Sequence, residues 1–293
     1  MLSARKGEKM AYSNEKYFMI SNRDKVPAPG YGTYLIDNET TRKAVKEALD
    51  LGYRHIDTAA FYQNEEGVGQ GLKDSALRRE DVFVVSKAWN DHRGYDKVKQ
   101  ACQNSLEKLG LDYLDLYLLH WPANAVEYPD TWSEVNQDSW RAMIDLYKEG
   151  KVKAIGVSNF LPDQLDPLMK MEIVPMVNQI EFHPGCTWPD TYAYCKKHGI
   201  LIEAWSPLGR GRLLQDPDLM AIALGHHKSI AQVCIRYALQ KNVLPLAKST
   251  HPERMRENFD VFDFELSDHE MEIIDNLEGK YPASRDPRTT VLK

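Results

Sequence analysis

The chain has 293 residues, 43% hydrophobic and 27% charged, with a formal net charge of −6 at pH 7. That is the make-up of a globular protein long enough to bury a large core, and the acidic balance argues against a polyanionic partner such as nucleic acid or a membrane surface. Four cysteines (Cys102, Cys186, Cys195, Cys234) do not make a disulfide framework in so long a chain, and no run approaches a membrane span. The opening MLSARKGEKMAYSNEKYFMI lacks the apolar segment of a secretion signal. The expected address is therefore the cytoplasm, with residues 1–15 a flexible leader and Met10 an alternative start.

KYFMISNRDKVPAPG (16–30) reads as a β-hairpin turning near Ser21–Asp24 and closing the floor of whatever follows. Strand and helix patterns then alternate. The strand candidates are YGTY (31–34), HID (55–57), VFVVSKAW (82–89), YLDLYLLHW (113–121), KVKAIGVSN (151–159), VPMVNQIEF (174–182), GILIEAWSP (199–207) and NVLPLAKS (242–249). Their continuous apolar runs suit strands buried on both faces. Between them lie amphipathic helices such as TTRKAVKEALDLG (40–52), DKVKQACQNSLEKLG (96–110) and SIAQVCIRYALQ (229–240). Eight strands alternating with helices read as one (β/α)8 barrel domain over residues 1–293. A further helix follows Leu266, opened by a Ser267/Glu270 capping box, and residues 279–293 form a C-terminal loop. A doubly wound Rossmann sheet is the alternative, but it requires a glycine-rich turn directly after the first long strand, and none is present. Gly67, Gly69 and Gly71 neither follow a strand directly nor fit G-x-G-x-x-G, so they read as close packing of a helix on the barrel.

Barrels of this kind carry their chemistry at the C-terminal ends of the strands. Those ends are Gly32-Thr33-Tyr34, Asp57, Lys87, His120, Ser158-Asn159, Gln179, Trp205-Ser206 and Lys248-Ser249. Asp57, Lys87 and His120 come from neighbouring strands, with Tyr62 in the loop after Asp57. A phenol is a poor acid at neutral pH, and a nearby ammonium lowers its pKa, while Asp57 would keep a buried Lys87 charged. His120 could donate a hydrogen bond to a carbonyl oxygen. The set makes an oxyanion pocket with a proton donor, suited to reducing a C=O by hydride.

HIDTAAFYQNE, VVSKAW, LLHWP, GVSNF, NQIEFHP and KSTHPERMREN, in that order and over nearly the whole chain, resemble the signature segments of the aldo-keto reductases. The resemblance implies an eight-stranded barrel, NADPH as hydride donor, no metal and a monomer. It makes Tyr62 the catalytic acid, tuned by Asp57 and Lys87, with His120 orienting the substrate. Lys248, Ser249 and Arg254 can all reach a phosphate at a helix start, and the resemblance assigns them to the 2′-phosphate of NADPH, with Asn258 and Glu257 at the adenine and Thr250 a further cofactor contact. It also implies that Ser158, Asn159 and Gln179 hold the nicotinamide carboxamide and that Trp205 stacks on the ring. Ser206, Leu208 and Gly209 then begin a loop crossing the pyrophosphate, and Gly32, Thr33 and Asp57 lie beside the cofactor. Arg210 and Arg212 either close that loop or stay exposed.

Tyr34, Trp89 and Trp121 match aromatic positions of the family at the substrate mouth, and aromatic walls favour apolar or planar carbonyl compounds. Tyr128, Trp132 and the C-terminal tail are expected at its rim, with Arg285 and Arg288 either selecting acidic substrates or simply solvated. The nearest likeness is to bacterial-type reductases of α-dicarbonyls, keto sugars and simple aldehydes. A cofactor-binding accessory module is the alternative function. A steroid double-bond reductase is disfavoured because relatives of that kind carry glutamate where this chain has His120. His183, Cys186, Cys195 and His198 resemble zinc spacing, but the cysteines lie close together and His183 belongs to a segment where the family uses no metal.

Overall fold

The computed structural model of the chain describes residues 17–292, and the leader expected at 1–15 lies outside the described residues. In chain order the strands are β1 (Tyr17–Met19), β2 (Lys25–Pro27), β3 (Gly30–Gly32), β4 (His55–Asp57), β5 (Phe83–Ala88), β6 (Leu116–Leu119), β7 (Ile155–Ser158), β8 (Val177–Glu181), β9 (Leu201–Trp205) and β10 (Leu244–Ala247). The α-helices are α1 (Asn38–Asp50), α2 (Glu65–Asp74), α3 (Tyr95–Leu109), α4 (Trp132–Lys148), α5 (Pro162–Leu165), α6 (Pro189–His198), α7 (Pro217–Gly225), α8 (Ile230–Gln240), α9 (Pro252–Phe259) and α10 (Asp268–Asp275). Strands β3 to β10 close into a parallel barrel, β10 pairing with β3. Among the described residues no helix is long and apolar enough to cross a membrane.

All six residues of β5 are buried, as expected of a strand walled in on both faces. Helix α1 starts at Asp37, whose side chain accepts from the Thr40 amide, and buries Ala44, Val45, Ala48 and Leu49. Helix α3 stops at Gly110, held at φ +65°, where a side chain would be strained. The capping box expected at Ser267 and Glu270 opens α10, and a second, Ser229 with Gln232, opens α8. Except for HID, which β4 matches in full, each strand is shorter than its expected run. YGTY (31–34) keeps only Tyr31 and Gly32 in β3, which begins one residue earlier at Gly30, and puts Thr33 and Tyr34 in the following loop.

The hairpin β1–β2 turns where Arg23 donates its amide to the Ile20 carbonyl. Asn22 donates to the Lys153 carbonyl just before β7, and the Pro27 carbonyl meets His55, the first residue of β4. Both contacts lie at the N-terminal ends of barrel strands, so the hairpin covers the floor. The opposite end is crossed by the tail. Asn124 donates to the carbonyls of Pro287 and Thr290, and Asn90 to that of Leu292.

The three glycines of α2 sit against backbone. A Cβ on Gly67 would lie 2.3 Å from the Asn38 carbonyl oxygen, on Gly69 2.2 Å from that of Leu109, and on Gly71 2.8 Å from that of Arg42. Helix α2 is thus clamped between α1 and α3 at distances only glycine permits. Gly69→Ala should cost about 1–3 kcal/mol, since a backbone carbonyl cannot swing away as a side-chain tip can. Urea denaturation beside the exposed neighbour Gln70→Ala would measure it; equal midpoints would contradict the packing reading.

Candidate active site

The loop after β4 is built to hold Tyr62. Thr58 continues the strand by donating its amide to Val85, and residues Ala60–Tyr62 form a single 3-10 turn ended by Gln63 at φ +55°. Asn64, buried just beyond, is the anchor. Its amide nitrogen donates to the carbonyls of Thr33 and Ile36, and its oxygen accepts from the Thr58 hydroxyl. Asn64 lies inside the HIDTAAFYQNE segment but was not singled out, because its partners are revealed only by the fold.

Register brings the charges together. Asp57 pairs with Val85, two residues before Lys87 on the same face of β5. The fully buried Lys87 ammonium donates to Asp57 Oδ1 at 2.6 Å, to the Thr58 carbonyl at 2.9 Å and to the Tyr62 hydroxyl at 3.4 Å. Burial works to lower the Lys87 pKa, but Asp57 and Tyr62 outweigh it and the net shift is upward, so this lysine stays charged. For Tyr62 burial is again the largest influence and raises the phenol to about 12, with Lys87 pulling the other way. The lysine therefore acts in the direction expected from sequence, yet burial wins, and Tyr62 carries its proton throughout the neutral range. His120, just past β6, is held well below the usual imidazole pKa by burial and then by Lys87, so it is a neutral ring. Its Nδ1 is buried without a partner.

These groups border a cavity of about 460 Å³. Of the residues singled out from sequence, Gly32, Tyr34, Asp57, Tyr62, Trp89, His120, Trp121, Ser158, Asn159, Gln179, Trp205, Ser206, Leu208 and Lys248 line it. Lys87 lies behind Tyr62 and reaches the cavity through it. Thr33 is buried beneath, donating its hydroxyl to the Asp57 carbonyl. Gly209, Ser249, Thr250, Arg254, Glu257 and Asn258 are not in the wall; the last five continue from Lys248 into α9. Lys248 and Arg254 are exposed and have no ion-pair or hydrogen-bond partner among the described residues. They fit a phosphate beside the start of α9.

The polar residues of the far wall form one hydrogen-bonded chain. Trp205 Nε1 donates to Asn159 Oδ1 at 2.9 Å, and Asn159 Nδ2 donates to the His120 carbonyl and to Ser158 Oγ. Ser158 Oγ donates to the Gln179 carbonyl at 2.7 Å, and Gln179 Nε2 donates to Asp57 Oδ2 at 2.9 Å. The Trp205 ring is thus fixed in plane, a rigid face for a planar ligand.

Sequence reasoning missed Leu35, Phe61, Pro207, Gly211, Leu246, Ala247 and Leu292 in the wall. Phe61 carried a signal, as a large apolar residue beside Tyr62. It is exposed and stacks on Trp89 with ring centroids 3.8 Å apart. Leu292 comes from the tail, whose path only the tertiary structure reveals. Tyr128 and Trp132, expected at the rim, do not line the cavity; Trp132 begins α4 instead. Arg285 lines the cavity, whereas Arg288 pairs with Asp286 on the surface. Arg210 lies 5.6 Å over the Trp205 ring, and Arg212 donates to the Gly209 and Pro282 carbonyls, tying its loop to the tail. In the zinc-like set, His183 Nδ1 meets the Pro184 carbonyl, Cys195 is in the core, and His198 is exposed on α6 against Tyr194. No group of three or more His, Cys, Asp or Glu among the described residues could hold a metal ion.

The family model of the aldo/keto reductase family matches residues 30–278, from β3 to just past α10. The chain belongs to the aldo/keto reductase family. This aldo-keto reductase is 48% identical over 260 residues to glyoxal reductase of Bacillus subtilis, covering 88% of this chain and 91% of that protein. Among solved structures it is similar to MGS-M4, an aldo-keto reductase from a Medee basin deep-sea metagenome library, with 40% identity and a TM-score of 0.89 over 94% of this chain and all of that one (100%). It is also similar to a variant of Gox0644 in complex with NADPH, with 37% identity and a TM-score of 0.87 over 94% of this chain and 98% of that chain.

Proposed function

We propose that this aldo-keto reductase is an NADPH-dependent carbonyl reductase for small aldehydes, ketones and α-dicarbonyls, with Tyr62 as general acid. One observation carries the reading: the Tyr62 hydroxyl, still protonated at neutral pH, lies 3.4 Å from a buried lysine paired at 2.6 Å with Asp57, at the edge of an aromatic cavity. When bound, NADPH supplies the hydride. Tyr62 gives its proton to the developing alkoxide, and Lys87 stabilises the phenolate left behind. Asp57 keeps Lys87 charged. His120 is neutral with Nδ1 walled in, so its other ring nitrogen is the one able to donate to the substrate oxygen. The indole of Trp205 stacks on the nicotinamide, and Ser158, Asn159 and Gln179 hold its carboxamide. Ser206, Leu208 and Gly209 would follow the pyrophosphate and Gly32 would lie beside the cofactor, while Thr33 supports Asp57 from beneath. Lys248, Ser249 and Arg254 would hold the 2′-phosphate, with Glu257 and Asn258 at the adenine and Thr250 beside them. Tyr34, Phe61, Trp89 and Trp121 shape the substrate side, which suits compact planar carbonyls. The likeness to glyoxal reductase supports α-dicarbonyls within that class.

NADPH consumption with methylglyoxal, a nitrobenzaldehyde and a keto sugar acid tests the substrate range; failure to reduce any of the three counts against it. The phosphate assignment has its own test. The double variant Lys248→Ala/Arg254→Ala should raise KM for NADPH by roughly 10- to 100-fold, the range of losing charge-assisted bonds, and leave KM for NADH nearly unchanged. Equal changes for both cofactors would contradict it.

A further inference from the structure

Beneath the proton-donor set lies a second layer of buried groups that the reaction as described does not use. His55 is two residues before Asp57 on β4, and Glu203 two residues before Trp205 on β9, so both project to the same faces as those residues. Both are fully buried. Glu203 is the strand partner of Gln179. Gln179 Nε2 divides its two protons, one to Asp57 Oδ2 and one to Glu203 Oε2, each at 2.9 Å. The second carboxyl oxygen of Glu203 has no hydrogen-bond partner and lies 3.9 Å from His55 Nε2, which also has none.

The His55 ring settles where the proton is. Its Nδ1 lies 3.1 Å from the Pro27 carbonyl, which can only accept, so Nδ1 carries a proton. In a neutral ring Nε2 is then a lone pair. A carboxylate facing it would set acceptor against acceptor in a dry interior, whereas a carboxylic acid faces it with a donor. The ionised alternative, imidazolium with carboxylate, would bury two more charges beside Asp57 and Lys87.

We infer that Glu203 is a positioning residue for the proton donor: as a neutral carboxylic acid it faces His55 without charge, accepts from Gln179 and holds it against Asp57, and leaves Asp57 the one anion beneath Lys87. The inference rests on the reading of Tyr62 as the acid. The charged and titratable groups facing Glu203 are His55 and Asp57 from β4 and Lys87 from β5; β8 presents the amide of Gln179, and β10 presents Leu244 in register. Burial first, then Asp57, pushes Glu203 up to about 8, and burial holds His55 down to about 4.

Ionising Glu203 adds a second anion next to Asp57, offsets Lys87 and makes Tyr62 a weaker acid, so reduction falls as pH rises through about 8. In Glu203→Gln the amide can donate to His55 and accept from Gln179 but cannot ionise. Wild type should therefore lose roughly threefold more of its kcat between about pH 7 and 9 than Glu203→Gln does. Stability gives a second readout. A carboxyl whose folded pKa is raised favours folding most below the ordinary carboxylate range and loses that advantage up to about 8. The Tm of Glu203→Gln should thus rise above that of wild type towards pH 8 and converge with it near about pH 4.

The deciding experiment is infrared difference spectroscopy of the full-length protein. Wild type at neutral pH should show a protonated-carboxyl C=O band that fades as pH rises through about 8 and is absent from Glu203→Gln. No such band in an active enzyme, or parallel pH profiles in the two proteins, overturns the inference alone. The band in a protein that reduces no carbonyl would instead overturn the Tyr62 reading on which Glu203's role depends.

Discussion

Tyr62→Phe should lower kcat for carbonyl reduction by roughly a thousandfold while NADPH affinity stays within about twofold. The substitution removes one oxygen and keeps the ring, which contacts Tyr34 at 5.0 Å and His120 at 5.7 Å between centroids. The cavity wall is preserved and only the proton is lost. No other group is as well placed to replace it. Lys87 lies behind the phenol and is committed to Asp57 and the Thr58 carbonyl, and His120 is neutral and poorly basic. Titrating NADPH by its fluorescence and measuring kcat on the same preparation checks both halves. A variant with wild-type kcat would remove Tyr62 from the chemistry; one that failed to bind NADPH would make it a cofactor contact.

Lys87→Met should be the most damaging single change in the barrel interior. Asp57 is buried, and its Oδ1 faces the ammonium at 2.6 Å. Removing the cation leaves a carboxylate with only the Gln179 amide for company and costs about 3–5 kcal/mol, the range for breaking a buried pair. The Thr58 carbonyl loses its donor as well, loosening the start of the loop that carries Tyr62. Turnover should fall by at least about a hundredfold. The pH dependence has a definite sign. Lys87 has a raised pKa in the folded protein, so its contribution is complete below the ordinary lysine value near about 10.4 and is lost only above it. The deficit of Lys87→Met should therefore be flat across neutral pH. Adding Asp57→Asn should recover part of the stability and none of the turnover. A stability loss within about 0.5 kcal/mol for Lys87→Met alone would show that no buried ion pair exists there.

The barrel was legible because parallel strands covered on both faces must be continuously apolar, and the strand-end residues of Asp57, Lys87, His120 and Gln179 interrupt those runs where the walls open. The α2 glycines were legible as packing residues, since their spacing matched no phosphate cradle, but not their partners: they were expected against the barrel, and each meets backbone of a neighbouring helix, α1 or α3. Glu203 and His55 escaped notice for a physical reason. Glu203 sits mid-strand and His55 opens β4, both one layer below the strand ends, where a polar residue gives no hint of what faces it across the barrel. Phe61, Leu35 and Leu292 escaped because loop and tail paths are set by long-range contacts such as Asn90 to Leu292. The sign of the Tyr62 shift escaped because a nearby charge can be read from sequence and the degree of burial cannot.

The most direct test follows the hydride itself. NADPH deuterated at the transferring C4 position, incubated with the protein and methylglyoxal, should deliver deuterium to the carbinol carbon of the product as NADPH is consumed, with delivery largely abolished in Tyr62→Phe. Tight NADPH binding with no deuterium in any product, from methylglyoxal, a nitrobenzaldehyde or a keto sugar acid, would contradict the account and leave a barrel that holds its cofactor without using it.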